Sequence, residues 1–432
     1  MHKNTVNVRE LVNKYQTNCE RISAIADTCE KEQRERTEAE TKEYEALCRD
    51  NQLLQIKMQA AAAEQLRCPH RPVLSLGIGD VTRPIAPVAS EAMRTAAAEL
   101  ASEGGQRGYG PAAGYPFLQR AIAARYDGLP CPVTPAEITV TPGSKEAIGA
   151  LFSLWDRPVP VWVCDPAYPA YRAAAEAAGH PVFSLPCQEK DGFLPRPEAV
   201  TQPGLIVLCT PNNPTGATMD LPEMTCWVHF AGESGSLLLV DTAYAAFLTG
   251  ETLPRSIYAV PGADRCAVEI GSFSKSDGFT GVRCGWVVLP EKTGCGAAWR
   301  CRLGSHSNGV SYPVQRAAEA ALSPTGLRQR QQALAVYRQN AENMLHAFRQ
   351  MGLTCAARRP GCEAPYLWVR CPDEQGSWYW FHRLLRECGV VCAPGAGFGS
   401  IGEHWLRFTA FGDPRTTAEA LRRMTRLFPA KA

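Results

Sequence analysis

The chain is expected to adopt an α/β fold around a parallel sheet, and three observations carry that expectation. Between residues 136 and 290, short apolar runs of strand length alternate with helical patterns. Chemistry-bearing residues follow several of those runs immediately, at the strand ends where open α/β sheets bind ligands. At 432 residues the chain also exceeds the size at which one hydrophobic core stops growing, so more than one domain is expected.

Taken in order, Ile138 and Val140 mark a strand followed by Thr-Pro-Gly-Ser-Lys (141–145), with Gly143, Ser144 and Lys145 opening a helix. Amides at a helix start bind phosphate. Val161, Trp162 and Val163 precede Asp-Pro-Ala-Tyr-Pro-Ala-Tyr (165–171), which offers Tyr168 as a ring for stacking. Leu205 to Cys209 precede Pro-Asn-Asn-Pro-Thr-Gly (211–216), a tight turn that fixes the amide of Asn213. Leu237 to Val240 place Asp241 at the end of a buried strand, with Tyr244 three residues on.

The most informative stretch is 271–286, where Lys275 lies among Ser272, Ser274 and Ser276, with Arg283 eight residues on. A lone lysine is usually a solvated surface residue. Here its neighbours supply what a Schiff base to a phosphorylated aldehyde requires: an amine for the covalent link, and hydroxyls and a guanidinium for the phosphate. Asp241 can keep a pyridine nitrogen protonated, and Tyr244 can bond the ring's phenolic oxygen. Each motif alone is weak, because Asp and Asn at strand ends often serve only as caps. Their order along the chain is what carries weight.

With those residues in view, positions from about 73 to 428 resemble the class I/II aminotransferases, fold-type I enzymes that use pyridoxal 5'-phosphate. Within that family the wording is most similar to the L,L-diaminopimelate aminotransferases. The resemblance rests on Leu-Gly-Ile-Gly-Asp-Val-Thr-Arg-Pro (76–84), Arg-Gly-Tyr-Gly-Pro (107–111), the Lys275 run, Asn-Gly-Val-Ser-Tyr (308–312), Glu-Ala-Pro-Tyr-Leu-Trp (363–368) and Ala-Pro-Gly-Ala-Gly-Phe-Gly (393–399).

The resemblance implies a catalytic set of Lys275, Asp241 and Tyr244. It implies cofactor contacts from Gly143, Ser144, Lys145, Tyr168, Asn213, Ser272 and Arg283, with Tyr109 reaching in from a second subunit. Substrate contacts are implied for Gly79, Tyr109, Lys145, Asn213, Asn308 and Arg407, the last a guanidinium fork suited to a carboxylate. It further implies a seven-stranded, mostly parallel sheet in a large domain (115–315), a small α+β domain assembled from 67–114 and 316–432, and a homodimer with shared sites. Glutamate would donate the amino group, and tetrahydrodipicolinate would accept it in lysine biosynthesis.

The chain departs from the family at two places. Where the family carries a glutamate that reads the second ammonium of diaminopimelate, this chain has Gly104, with Glu103 adjacent. No tyrosine occurs from Asn51 to Gln65, the stretch that aligns with the family's aromatic N-terminal arm. A different substrate range or a β-lyase on the same fold therefore stays open. A non-catalytic interaction protein predicts a lost cofactor residue, and Lys275, Asp241, Asn213 and Arg407 are all present.

Residues 1–66 contain no Gly and no Pro, and they place Leu11, Tyr15, Ile22, Ala26 and Cys29 at helical spacing. Thr37 followed by Glu40 is a capping box, predicting one helix that ends near Arg34 and a second from Glu38 to about Glu64. A net charge of +2 with both signs interspersed gives no electrostatic case for nucleic acid or membrane. The 18 cysteines form no Cys-x-x-Cys pair and the eight histidines no metal spacing, so reduced thiols, no metal and a cytoplasmic location are expected.

Overall fold

In the computed structural model the structure describes residues 72–428 apart from Glu251, together with scattered positions between Lys14 and Glu43. Residues 1–73 and 74–432 form separate compact units.

In the first unit the capping box forms: Thr37 Oγ1 accepts from the Glu40 amide, and the Glu40 carboxylate accepts from the Thr37 amide. Arg34 closes the same turn with a two-pronged bond to Glu40 at 2.7 and 2.8 Å. Of the apolar positions expected on this helix, Cys29 is half-buried. Leu11, Tyr15, Ile22 and Ala26, and the second helix beyond Glu43, lie outside the described residues.

The second unit is built on twelve strands. Seven of them, β2 (Ile138–Thr141), β3 (Val161–Asp165), β4 (Val182–Pro186), β5 (Leu205–Cys209), β6 (Leu237–Asp241), β7 (Ala267–Ser272) and β8 (Gly285–Val288), form one sheet in the order β2-β8-β7-β6-β5-β3-β4. Pairs among β7, β6, β5, β3 and β4 are parallel, and only β8 runs against its neighbours. The expected mostly parallel seven-stranded sheet is therefore the one observed. Val, Ile and Leu fill β5 and β6 on both faces, as a sheet covered by helices on both sides requires.

The inverted strand has a consequence for the site. Gly285, the first residue of β8, lies opposite both Thr141 and Ser272, the last residues of β2 and β7. The chain just before β8 therefore emerges at the carboxyl edge of the sheet, and that places Arg283 beside Gly143.

A second sheet joins β9 (Tyr366–Arg370), β11 (Ala393–Pro394) and β12 (Trp405–Thr409), with β12 central and Arg407 at its midpoint. Two short strands, β1 (Leu74–Ser75) and β10 (Val390–Val391), pair in parallel, bringing chain segments more than 300 residues apart together. The sheets are served by different apolar clusters, one around Val207, Val240 and Val287, the other around Leu367, Phe408 and Phe348.

Helix Pro324–Gln350 connects the two regions, spanning about 40 Å at 1.5 Å per residue. Met344 and Phe348 enter the second cluster, while Arg330 donates to Asp277, two residues from Lys275, at 2.7 Å. Both side chains of this ion pair are almost fully buried, and Ser276 also donates to the Asp277 carboxylate.

Removing one partner of a buried pair leaves the other charge uncompensated, at a cost of about 3–5 kcal/mol. Arg330→Met should lower stability by about that amount, read as a shifted urea midpoint with an unchanged slope. A shift equivalent to under about 1 kcal/mol would mean the pair is solvated in solution.

Candidate active site

One cavity of about 390 Å³ opens at the carboxyl edge of the large sheet. Its lining comes from four strand ends, the Lys275 loop, the 78–80 segment, and Tyr366 and Arg407 of the second sheet.

Ser144 and Lys145, Ser272 and Ser274, Thr280 and Arg283 are among the lining residues. Gly143 precedes helix Ser144–Phe152 with φ 133°, and no side chain caps the first turn. A Cβ at Gly143 would lie 2.3 Å from Arg283 Nη2, so only glycine lets the guanidinium come up against the helix start. Arg283 itself takes φ 69°, a left-handed conformation that a non-glycine residue adopts at a cost. Its guanidinium is held by Glu146 at 3.0 and 3.2 Å and turns its other nitrogen toward Ser274 and Thr280.

Asp241, the last residue of β6, lines the same cavity. Its carboxylate accepts from Tyr171 Oη at 2.8 Å and from the Ala243 amide at 2.9 Å. Burial pushes its pKa up against the pull of those two donors. Tyr244 bonds Tyr366 hydroxyl to hydroxyl at 2.8 Å, and Tyr168 lines the cavity beside them.

Lys275 also lines the cavity, its Nζ donating to the Gly79 carbonyl. Burial pushes its amine down to about 8, partly opposed by the Asp80 carboxylate and reinforced by the Arg407 and Arg283 charges.

Arg407 is buried. Nη1 donates to Asn213 Oδ1 at 2.7 Å and Nη2 to the Gly77 carbonyl at 2.6 Å, while Nε has no partner. Its guanidinium carbon lies 4.6 Å from the Tyr366 ring centre and 4.7 Å from that of Phe398. All its partners are neutral, so an anion entering the cavity would be its first countercharge.

Residues 71–424 match the model of the family described as aminotransferase class I and II. The chain belongs to that family. It is 38% identical over 384 residues to the LL-diaminopimelate aminotransferase of Lachnospira eligens, covering 85% of this chain and 94% of the relative. The Bacteroides thetaiotaomicron enzyme of the same name is 39% identical, at 82% and 92% coverage. Among solved structures, the L,L-diaminopimelate aminotransferase from Chlamydomonas reinhardtii superposes with a TM-score of 0.79 at 34% identity, covering 85% of this chain and 93% of that one.

The chain is accordingly a transaminase dependent on pyridoxal phosphate, and its cavity fits that group. The donor set matches: capless amides, hydroxyls and Arg283 suit a phosphate, the buried Asp241 carboxylate suits a ring nitrogen, and Lys275 offers an amine with a depressed pKa.

Gly79, Ser144, Lys145, Tyr168, Asn213, Asp241, Tyr244, Ser272, Lys275, Arg283 and Arg407 all line this one cavity. Gly143 borders it through Arg283. Tyr109 and Asn308 are not among the residues lining it; both are exposed, Tyr109 at 90%. Sequence reasoning missed Tyr366, Tyr171, Asp80 and Glu146. Only Glu146 carried a usable signal, as an acid in the first turn of a helix already expected to start at Ser144.

Among the described residues no group of His, Cys, Asp and Glu could hold a metal, and no helix is long and apolar enough to cross a membrane. Every described cysteine is a free thiol, and Cys226 and Cys301 are exposed.

A protonated Nζ has no lone pair with which to attack an aldehyde. The rate at which apoprotein takes up pyridoxal phosphate covalently should therefore rise with pH and level off above about 8. Stopped-flow absorbance across pH 6 to 11 checks this, and an inflection near the ordinary lysine value of 10.5 contradicts the desolvated amine.

Proposed function

We propose that the chain transfers an amino group between glutamate and tetrahydrodipicolinate, forming L,L-diaminopimelate for lysine biosynthesis. The observation that carries this is the 38% identity to L,L-diaminopimelate aminotransferases over nearly their whole length, combined with a complete cofactor cavity in this chain.

Bound pyridoxal phosphate supplies an electron sink for the charge left when the substrate Cα loses its proton. The protein's part is binding, orientation and proton transfer. Arg407 takes the α-carboxylate in its fork, with Asn213 and the Gly77 carbonyl fixing the plane of the guanidinium. Lys275 Nζ, oriented by the Gly79 carbonyl, carries the proton between Cα and the cofactor's C4′ carbon. Asp241 holds the proton on the ring nitrogen, and Tyr171 keeps that carboxylate in place. Tyr168 and Tyr244 bound the ring, and Ser272, Arg283 and the helix start at Ser144 hold the phosphate. One site serves donor and acceptor in turn, so the donor's keto acid leaves before the acceptor enters.

The second ammonium of diaminopimelate must meet a carboxylate for this substrate to be chosen over simpler ones. Glu103 occupies an exposed turn beside Gly104, which takes φ 80°. If Glu103 of a second subunit reads that ammonium, Glu103→Gln should weaken diaminopimelate use by about ten-fold to a few hundred-fold and leave glutamate nearly unaffected. Steady-state kinetics with both donors, and identification of the product, check this. Failure of the wild type to use diaminopimelate would remove the substrate assignment and leave the transaminase.

A homodimer belongs to the same proposal, supported by the exposure of Tyr109 and Asn308. A cytoplasmic location does too, supported by the free thiols. Mixing inactive Lys275→Ala chains with inactive Tyr109→Ala chains should then restore part of the activity, because each hybrid contains one site with both residues intact. No recovery, with subunit exchange verified by tagged chains, would mean that each chain builds its own site.

A further inference from the structure

Asp165 ends β3 and does not line the cavity, yet its carboxylate is among the most heavily bonded in the chain. Oδ2 accepts from the Ser400 amide at 3.1 Å and from Ser400 Oγ at 2.7 Å, and Oδ1 accepts from the Ile401 amide at 3.2 Å. Two residues along, the Ala167 amide donates to the Phe398 carbonyl at 2.9 Å. The segment leaving β3 is thus pinned to the loop 395–402 at four points. Gly399 makes the approach possible: at φ 139°, a Cβ there would lie 2.0 Å from Asp165 Oδ1.

One pinned segment carries a residue that lines the cavity, and the other carries a ring packed on one that does. Three residues after Asp165 comes Tyr168, and one residue before Gly399 comes Phe398, whose ring lies on the Arg407 guanidinium. Arg407 has no acidic partner, so its plane is set by Asn213, the Gly77 carbonyl and the two rings. We propose that Asp165 is a positioning residue for the substrate carboxylate: through the 395–402 loop it seats Phe398 against Arg407 and fixes that fork relative to Tyr168.

This rests on the reading of Arg407 as the carboxylate anchor. Every amino and keto acid substrate bears an α-carboxylate, so loosening the clamp weakens donor and acceptor alike. The phosphate contacts at Ser144, Ser272 and Arg283, and Asp241 and Tyr244, lie on other elements and stay in place.

The test uses full-length holoenzyme carrying Asp165→Asn, Asp165→Ala, Ser400→Ala or, as a control, Arg407→Lys. Three quantities are measured: KM and kcat for glutamate and 2-oxoglutarate, binding of a non-reacting dicarboxylate by its effect on the cofactor's absorbance, and cofactor affinity of the apoprotein. For Asp165→Ala the expected result is a rise in both KM values and in the dicarboxylate Kd of about ten-fold to a hundred-fold, with kcat falling less. Ser400→Ala removes one bond of the set and should shift the same quantities by about two- to ten-fold. Asp165→Asn, which keeps one acceptor, should fall between them, and cofactor affinity should stay within about two-fold throughout.

Unchanged KM and dicarboxylate Kd in both Asp165→Asn and Ser400→Ala overturn the proposal, and so does a parallel loss of cofactor affinity, which marks a general loosening of the fold. If Asp165→Ala does not fold, those two milder variants still decide. Arg407→Lys separates the two levels of inference. If it leaves dicarboxylate binding intact, the carboxylate anchor is wrong whatever Asp165 does; if it abolishes binding while the Asp165 and Ser400 variants do not change it, only the clamp is wrong.

Discussion

Three charged groups line one cavity, Asp241 and Arg407 buried and Lys275 half-buried, and each is hydrogen-bonded only to neutral partners. Asp241 meets a tyrosine hydroxyl and an amide, Lys275 a backbone carbonyl, and Arg407 an asparagine oxygen and a backbone carbonyl. Taking an ion out of water costs several kcal/mol, and attraction to an opposite charge repays that cost only when the two are close. Here the carboxylate and the two cations do not pair off. They are anchored on separate elements: Asp241 on β6, Lys275 in the loop after β7, and Arg407 on the central strand of the other sheet. The rigid sheets hold unlike charges apart, so that a small molecule, not a side chain, supplies each missing partner.

That separation depends on strand direction. Six strands of the large sheet point their carboxyl ends toward the edge at which the cavity opens, and a seventh run the same way would have delivered its preceding loop to the opposite edge. Because β8 is inverted, Arg283 arrives beside Gly143 and Ser272, and the phosphate end of the site closes. The buried Arg330–Asp277 pair then ties the Lys275 loop to the helix that also supports the second sheet. A charge pair two residues from the reactive amine thus links its loop to the helix behind the sheet that carries Arg407.

The strand ends were legible in the sequence because each is a local event: an apolar run stops, and a polar residue with turn chemistry follows. β5 and β6 begin and end at the residues their composition marks, and the inward residues Asn213 and Asp241 follow from those ends. What was not legible is which distant groups meet those residues. Tyr171 reaches Asp241 across 70 positions, Tyr366 reaches Tyr244 across 122, and Ser400 reaches Asp165 across 235. Such contacts arise from tertiary packing between distant stretches of chain, and no local periodicity encodes them. Tyr366 illustrates the loss: in the sequence it reads as one aromatic residue of an apolar strand, whereas in the fold it is buried between Tyr244 and Arg407.

The same desolvation links stability to binding. Burial raises the pKa of Asp241 and lowers that of Lys275, so in the protein without its cofactor both charged forms are disfavoured by their surroundings. A ligand that brings a protonated ring nitrogen to one and consumes the amine of the other removes both penalties together. Since such a ligand binds the folded chain and not the unfolded one, the relief adds to folding stability by mass action. The groups whose charged forms burial disfavours are thus the same groups that would bind the cofactor. A chain with Asp241 and Lys275 replaced by neutral residues of similar volume would lose that penalty along with the chemistry, which is the trade expected where function sets the composition of a buried site.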